Sequence, residues 1–140
     1  MDGTIIFLFS AVLIVGGLIF ALISYSSKSG RKQLDQDKYR QAWLTIEQGL
    51  QVNNVDSYQL VILNADKLLD QALIERGRKG QTMGERLKNS KDLFSNRNSV
   101  WEAHKLRNQI VHETNFSLSY EQTKRALSGF KQALKDVGAI

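Results

Sequence analysis

The chain has 140 residues, which allows one modest domain and little else. It is 42% hydrophobic and 24% charged, an ordinary composition for a folded protein, and its net charge of +5 points to an anionic partner, either nucleic acid or a membrane surface. Cysteine is absent, which excludes disulfides, Cys-ligated zinc and thiol catalysis; with only His104 and His112 as imidazoles, no metal site and no cofactor are expected.

The charge is unevenly placed. Between Gly3 and Ser27 there is no Asp, Glu, Lys or Arg, and Ile5–Ile23 reads IIFLFSAVLIVGGLIFALI. Nineteen such residues make a helix of roughly 28 Å, about the thickness of the bilayer hydrocarbon. The segment before it, Met1-Asp2-Gly3, lacks the basic side chain of a signal peptide, and the apolar run is too long for one. Residues 1–27 are therefore expected to be a retained transmembrane segment that meets membrane lipid through 5–23. Residues 28–36 follow as a basic linker. Lys28, Arg31 and Lys32 lie after the span and Asp2 before it, so the N-terminus is expected outside and the C-terminal part in the cytoplasm of a single-pass protein.

Residues 37–140 show a helical period throughout. Tyr39, Trp43, Ile46 and Leu50 form one stripe of a first helix, about Asp37 to Gln51. After the turn VNNVD, Asp56 or Ser57 can cap a second helix running to about Arg76, with Gly77 past its end. Its apolar face is wide, from Tyr58 through Ala72 with Leu60, Leu63 and Leu73 beside it, which predicts the central helix. Thr82-Met83-Gly84-Glu85 reads as a capping box opening a short helix. The turn SNRNS precedes a helix over about Asn98–His112, and Ser119-Tyr120-Glu121-Gln122 caps the last, which carries Tyr120, Thr123, Leu127, Phe130, Leu134 and Val137. No alternating strand pattern occurs. The expected fold class is all-α: the transmembrane helix, then an antiparallel bundle of four main helices plus one short one.

No phosphate-binding loop, His-Glu-x-x-His or nucleophile elbow is present. The segment from Trp101 to Glu113 stands out. On a helical wheel Ala103, Leu106 and Ile110 share a core stripe. Trp101, His104, Asn108 and His112 share a second, with Arg107 on the border, while Glu102, Gln109 and Glu113 fill the third sector. Imidazole can exchange a proton near neutral pH and guanidinium can grip a phosphate; together they suffice for metal-free cleavage of RNA by its own 2′-OH. The competing reading is a polar seam against another helix or a second copy of the chain.

Arg107-Asn108-Gln109-Ile110-Val111-His112 fits the Arg-x4–6-His pattern of the HEPN superfamily, and AHKLRNQIVHE with the upstream TMGERLK resembles small bacterial members of it. The resemblance covers about residues 37–138. It implies a helical bundle that usually dimerises, so that the motif helices of two subunits line a shared cleft. Many members are metal-independent endoribonucleases, and many others have lost catalysis and serve as binding modules. Carried over, Arg107 would stabilise the phosphate, His112 would act as general acid or base, and Asn108 would orient the scissile group or His112. Apart from the resemblance, an indole on a ridge outside the core stripe needs a partner surface, so Trp101 and His104 are expected to belong to a homodimer ridge spanning 101–112 with Asn108 and His112.

From Arg76 to Arg97 lie seven basic residues (Arg76, Arg78, Lys79, Arg86, Lys88, Lys91 and Arg97) against Glu85 and Asp92. RNA phosphates and an anionic leaflet would both favour such a surface. Two functions follow as expectations: a membrane-anchored HEPN-like domain that binds RNA and has the groups to cleave it, or a non-catalytic membrane-tethered module for dimerisation and for a protein partner of unknown identity.

Overall fold

The computed structural model describes residues 3–27 and 33–140; in the first helix, side chains are described at 3, 5 and 7–22. Asp2, Lys28, Arg31 and Lys32, on which the expected orientation rests, and most of the expected linker lie outside the described residues. Among the described residues there are six helices and no strand: α1 (Gly3–Ser27), α2 (Gln36–Gly49), α3 (Val55–Glu75), α4 (Met83–Lys88), α5 (Arg97–His112) and α6 (Tyr120–Val137). The chain divides into two compact units, Met1–Arg31 and Lys32–Ile140.

The first unit is α1, 25 residues long. Its apolar side chains point outward all round, with Phe7 and Leu13 among the most exposed. The expected transmembrane span is not established: among the described residues, no helix is long and apolar enough to cross a membrane.

In the second unit every helix begins on a polar cap. The side chains of Asp35, Asn54, Thr82, Asn96 and Ser119 accept the backbone N–H groups of Lys38, Ser57, Glu85, Ser99 and Gln122. Two starts differ from expectation. Asn54, rather than Asp56 or Ser57, caps α3, and Asn96 starts α5 one residue earlier than Asn98, because in each case an asparagine three residues upstream reaches the serine N–H. The reciprocal box is complete at Ser119 and Gln122. At Thr82 it is not: the Glu85 carboxylate accepts from Gln81 N instead. Helices α3 and α6 stop alike. Gly77 and Gly138 take positive φ (73° and 80°), and the two following turn N–H groups close back on the last carbonyls.

Helix α3 touches α2, α4, α5 and α6. It is long and apolar over a broad arc: Tyr58, Val61, Ile62, Ala65, Leu68, Leu69, Ala72 and Leu73 are all buried. Leu60 falls outside that arc and is exposed. Tyr39, Trp43 and Ile46 of α2 and Leu127, Phe130, Leu134 and Val137 of α6 complete the core. Helices α5 and α6 approach closely at Gly129, where an added Cβ would lie 2.8 Å from Ser99 Oγ and 2.9 Å from Ser99 O.

The segment between α4 and α5 is tied to α6 by Asp136. Its Oδ2 accepts from both Ser95 N and Ser95 Oγ at 2.8 Å, and its Oδ1 from Gln132 Nε2 at 2.9 Å. Burial disfavours the carboxylate, but the Ser95 and Gln132 donors outweigh it and hold the group below the usual carboxylate range. The Asp136 contribution to stability is therefore present above that range and is lost as pH falls through its lowered pKa. Asp136→Asn should flatten the acid limb of a denaturant-midpoint-versus-pH curve; an unchanged limb would show that these bonds carry no acid sensitivity. At Gly129 the ordinary gain of about 0.5–1 kcal/mol from replacing a helical glycine by alanine should reverse, because the methyl meets Ser99. Gly129→Ala is expected to lose about 1–2 kcal/mol in urea unfolding, and a midpoint equal to or above that of the unaltered chain would contradict the close approach.

Candidate functional site

Helix α3 carries a carboxylate within its apolar face. Ile62, Asp66, Leu69 and Leu73 follow i, i+4, i+7, i+11, the spacing of one buried stripe, and Asp66 is 4% exposed. A carboxylate so placed needs partners. Helix α5 supplies them. His104 Nδ1 lies 2.7 Å from Asp66 Oδ1, and Arg107 Nε lies 3.5 Å from Asp66 Oδ2.

The two partners are then joined to each other. With its Nδ1–H donated to Asp66, His104 presents Nε2 as an acceptor, and Asn108 Nδ2 donates to it at 3.3 Å. The other end of that carboxamide, Oδ1, accepts from Arg107 Nη1 at 3.0 Å. Asp66, His104, Asn108 and Arg107 thus form a closed ring across the α3–α5 contact, three of its sides hydrogen bonds and the fourth the 3.5 Å Arg107–Asp66 ion pair. His104 is buried, whereas the Arg107 side chain keeps 35% of its surface in solvent. The ring sits in the wall of a cleft of about 730 Å³ whose sides include Lys67, Asp70, Gly84 and Trp101.

The catalytic set expected from the sequence is not assembled within one chain. Arg107 and Asn108 meet, but no hydrogen bond or ion pair joins His112, the exposed last residue of α5, to either of them. Five residues along a helix place it about 7.5 Å further on and about 140° around from Arg107. His104 takes the place beside Asn108 instead. The expected ridge is also broken. His104 is buried against α3, and Trp101 packs on the core, its ring 5.9 Å from that of His104 and under Lys88 Nζ at 5.9 Å. The indole finds its cover on the short helix α4 of its own chain, where Gly84 leaves room for it. Its own chain leaves it half-buried.

The basic segment is likewise divided. Arg86 is buried in a two-pronged pair with Asp70 (2.6 and 2.9 Å) and also donates to Gly80 O. The Asp70 hydrogen bonds push its pKa up, against the opposing effect of burial. Arg78 grips Asp92 through two bonds of 3.0 Å, and Arg76 Nε donates to Val137 O at the end of α6 at 2.8 Å. These three arginines, expected on a binding surface, are bonded within the fold. Lys79, Lys88, Lys91 and Arg97 are the exposed cations of the segment.

Among the described residues no group of three or more His, Cys, Asp or Glu side chains is placed to hold a metal ion. Asp66 escaped the sequence reading, although its place in an otherwise apolar stripe was a signal: a carboxylate in the buried arc of a central helix needs a donor from a neighbouring one. No family model, curated protein or solved structure matches the chain.

Asp66→Ala removes the acceptor shared by His104 and Arg107 and leaves a buried imidazole without its partner. The expected loss is about 3 kcal/mol of unfolding free energy. His112→Ala, at an exposed helix end, should stay within about 0.5 kcal/mol. Equal denaturation midpoints for the two variants would show that the ring does not join α3 to α5.

Proposed function

We propose that the chain is a membrane-tethered helical module whose HEPN-like domain acts by binding and self-association rather than by cutting RNA. The observation that carries this reading is the closed ring. The one imidazole lying beside Arg107 and Asn108 has both nitrogens engaged, Nδ1 by Asp66 and Nε2 by Asn108, so it offers no open position for a substrate proton. His112, the general acid or base implied by the HEPN resemblance, lies elsewhere on α5. Its neighbours Ile110, half-buried, and Val111, 51% exposed, give that end of the helix an apolar surface suited to a second copy of the chain.

The tether rests on α1 and its flanks. A 25-residue helix with a rise of 1.5 Å per residue is about 37 Å long. Its sequence contains no Asp, Glu, Lys or Arg, and its described apolar side chains are exposed on every face of the helix. Lys28, Arg31 and Lys32 after it, with Asp2 before it, favour an external N-terminus and a cytoplasmic domain.

Both parts can be tested on one preparation. Membranes containing the full chain are washed with alkaline carbonate, and the retained protein is incubated with single-stranded RNA in EDTA. The chain should stay in the pellet, and the unaltered protein and the His112→Ala variant should leave RNA equally intact. Release by carbonate would sink the tether. Products ending in 2′,3′-cyclic phosphate that disappear with His112→Ala, a loss of about 10²–10⁴-fold for a general acid–base group, would overturn the binding reading in favour of a nuclease.

A further inference from the structure

The four exposed cations of the basic segment are not spread evenly. Lys88 at the end of α4, Lys91 in the following turn and Arg97 at the start of α5 surround one groove of about 340 Å³. Its floor is apolar, built from Leu87, Phe94 and the half-buried indole of Trp101. No carboxylate lines it among the described residues, and the nearby Asp92 is held by Arg78.

We propose that this groove docks the headgroup region of anionic phospholipid in the membrane that carries the chain; the inference rests on the tether proposed above. The composition is that of a membrane interface. Cations on flexible stems can reach phosphates while their methylenes lie along the apolar floor, and an indole suits the boundary between headgroups and acyl chains. A domain carried by a membrane-inserted helix meets the anionic leaflet continuously, and each Lys or Arg near that surface adds attraction. Single-stranded RNA fits the groove less well. Phe94 is 7% exposed and Trp101 is covered by α4 on one side, so no ring offers an open face on which bases can stack. The groove shares Trp101 with the cleft of the Asp66 ring, but none of the ring's four residues lines it, so lipid docking would orient the domain on the leaflet without engaging Arg107 or Asn108.

Trp101 reports on its own groove, since the chain has only one other tryptophan, Trp43, which is buried. The full chain with Trp43→Phe is placed in nanodiscs of phosphatidylcholine alone or with phosphatidylglycerol added. Trp101 emission should shift to the blue, and become shielded from a soluble quencher, only with phosphatidylglycerol; high salt should reverse the change. Lys88→Gln, Lys91→Gln and Arg97→Gln together should abolish the shift, and each alone should raise the phosphatidylglycerol fraction needed by about fivefold. Should Trp43→Phe disturb folding, the same comparison reads out in the unaltered chain, where Trp43 adds a constant background. Identical emission in the two discs, or a shift that survives the triple substitution, overturns the proposal. So does a shift produced by single-stranded RNA in phosphatidylcholine discs with none from phosphatidylglycerol, which would make the groove a nucleic-acid site. A chain that does not enter nanodiscs at all refutes the tether instead.

Discussion

A carboxylate buried in the middle of an apolar helix face constrains much of the Lys32–Ile140 unit. Asp66 cannot remain among Ile62, Leu69 and Leu73 without donors. The neighbouring helix must therefore present a hydrogen-bonding edge at that height. Helix α5 does so with His104 and Arg107, whose remaining polar atoms are in turn satisfied by Asn108. One buried acid thereby sets the rotation of α5 about its own axis, and with it which residues face the cleft, which face α6 and which face solvent.

The rest of the packing is arranged around α3 in a similar way. A second acid on that helix, Asp70, one turn beyond Asp66, takes Arg86 from α4 and so holds the shortest helix of the unit in place. Gly129 lets α6 approach α5 at Ser99, and Asp136 fastens the connection between α4 and α5 to the far end of α6. Polar contacts of this kind add specificity of position to a core whose stability comes mainly from burying Tyr39, Phe130, Ile62 and Leu69. They also divide the basic segment. The arginines that read as a surface patch, Arg76, Arg78 and Arg86, become internal ties, and the lysines, with Arg97, remain outside. Guanidinium groups suit such two-pronged and carbonyl-directed bonds better than ammonium groups do.

Helical boundaries and the identity of the central helix were legible in the amino-acid sequence because they are local. Apolar spacing of 3.6 residues, Ser119 followed three residues later by Gln122, and Gly77 and Gly138 past the ends of α3 and α6 act within a turn or two of the chain. The same locality explains the small errors. At α3 the choice between Asn54 and Asp56 or Ser57 as cap, and at α5 a start at Arg97 instead of Asn98, turn on which nearby side chain reaches a free N–H. The all-helical character and the apolar N-terminal run needed nothing beyond composition and period.

What the tertiary structure decided is who meets whom across helices. Asp66 and His104 are 38 residues apart, and no periodicity within α5 says that His104 will turn inward while His112 stays out. The wheel placed both histidines on one ridge because it knows angle but not depth. Depth is set by the neighbours: α3 covers the middle of α5 and leaves its last turn bare. Trp101 likewise read as an indole in need of a second chain, until α4, held against α3 by Arg86 and Asp70, supplied its cover. The sequence by itself determined the helices, their order and their apolar faces. Long-range pairing of buried charges determined which polar residues became structure and which were left on the surface for a partner.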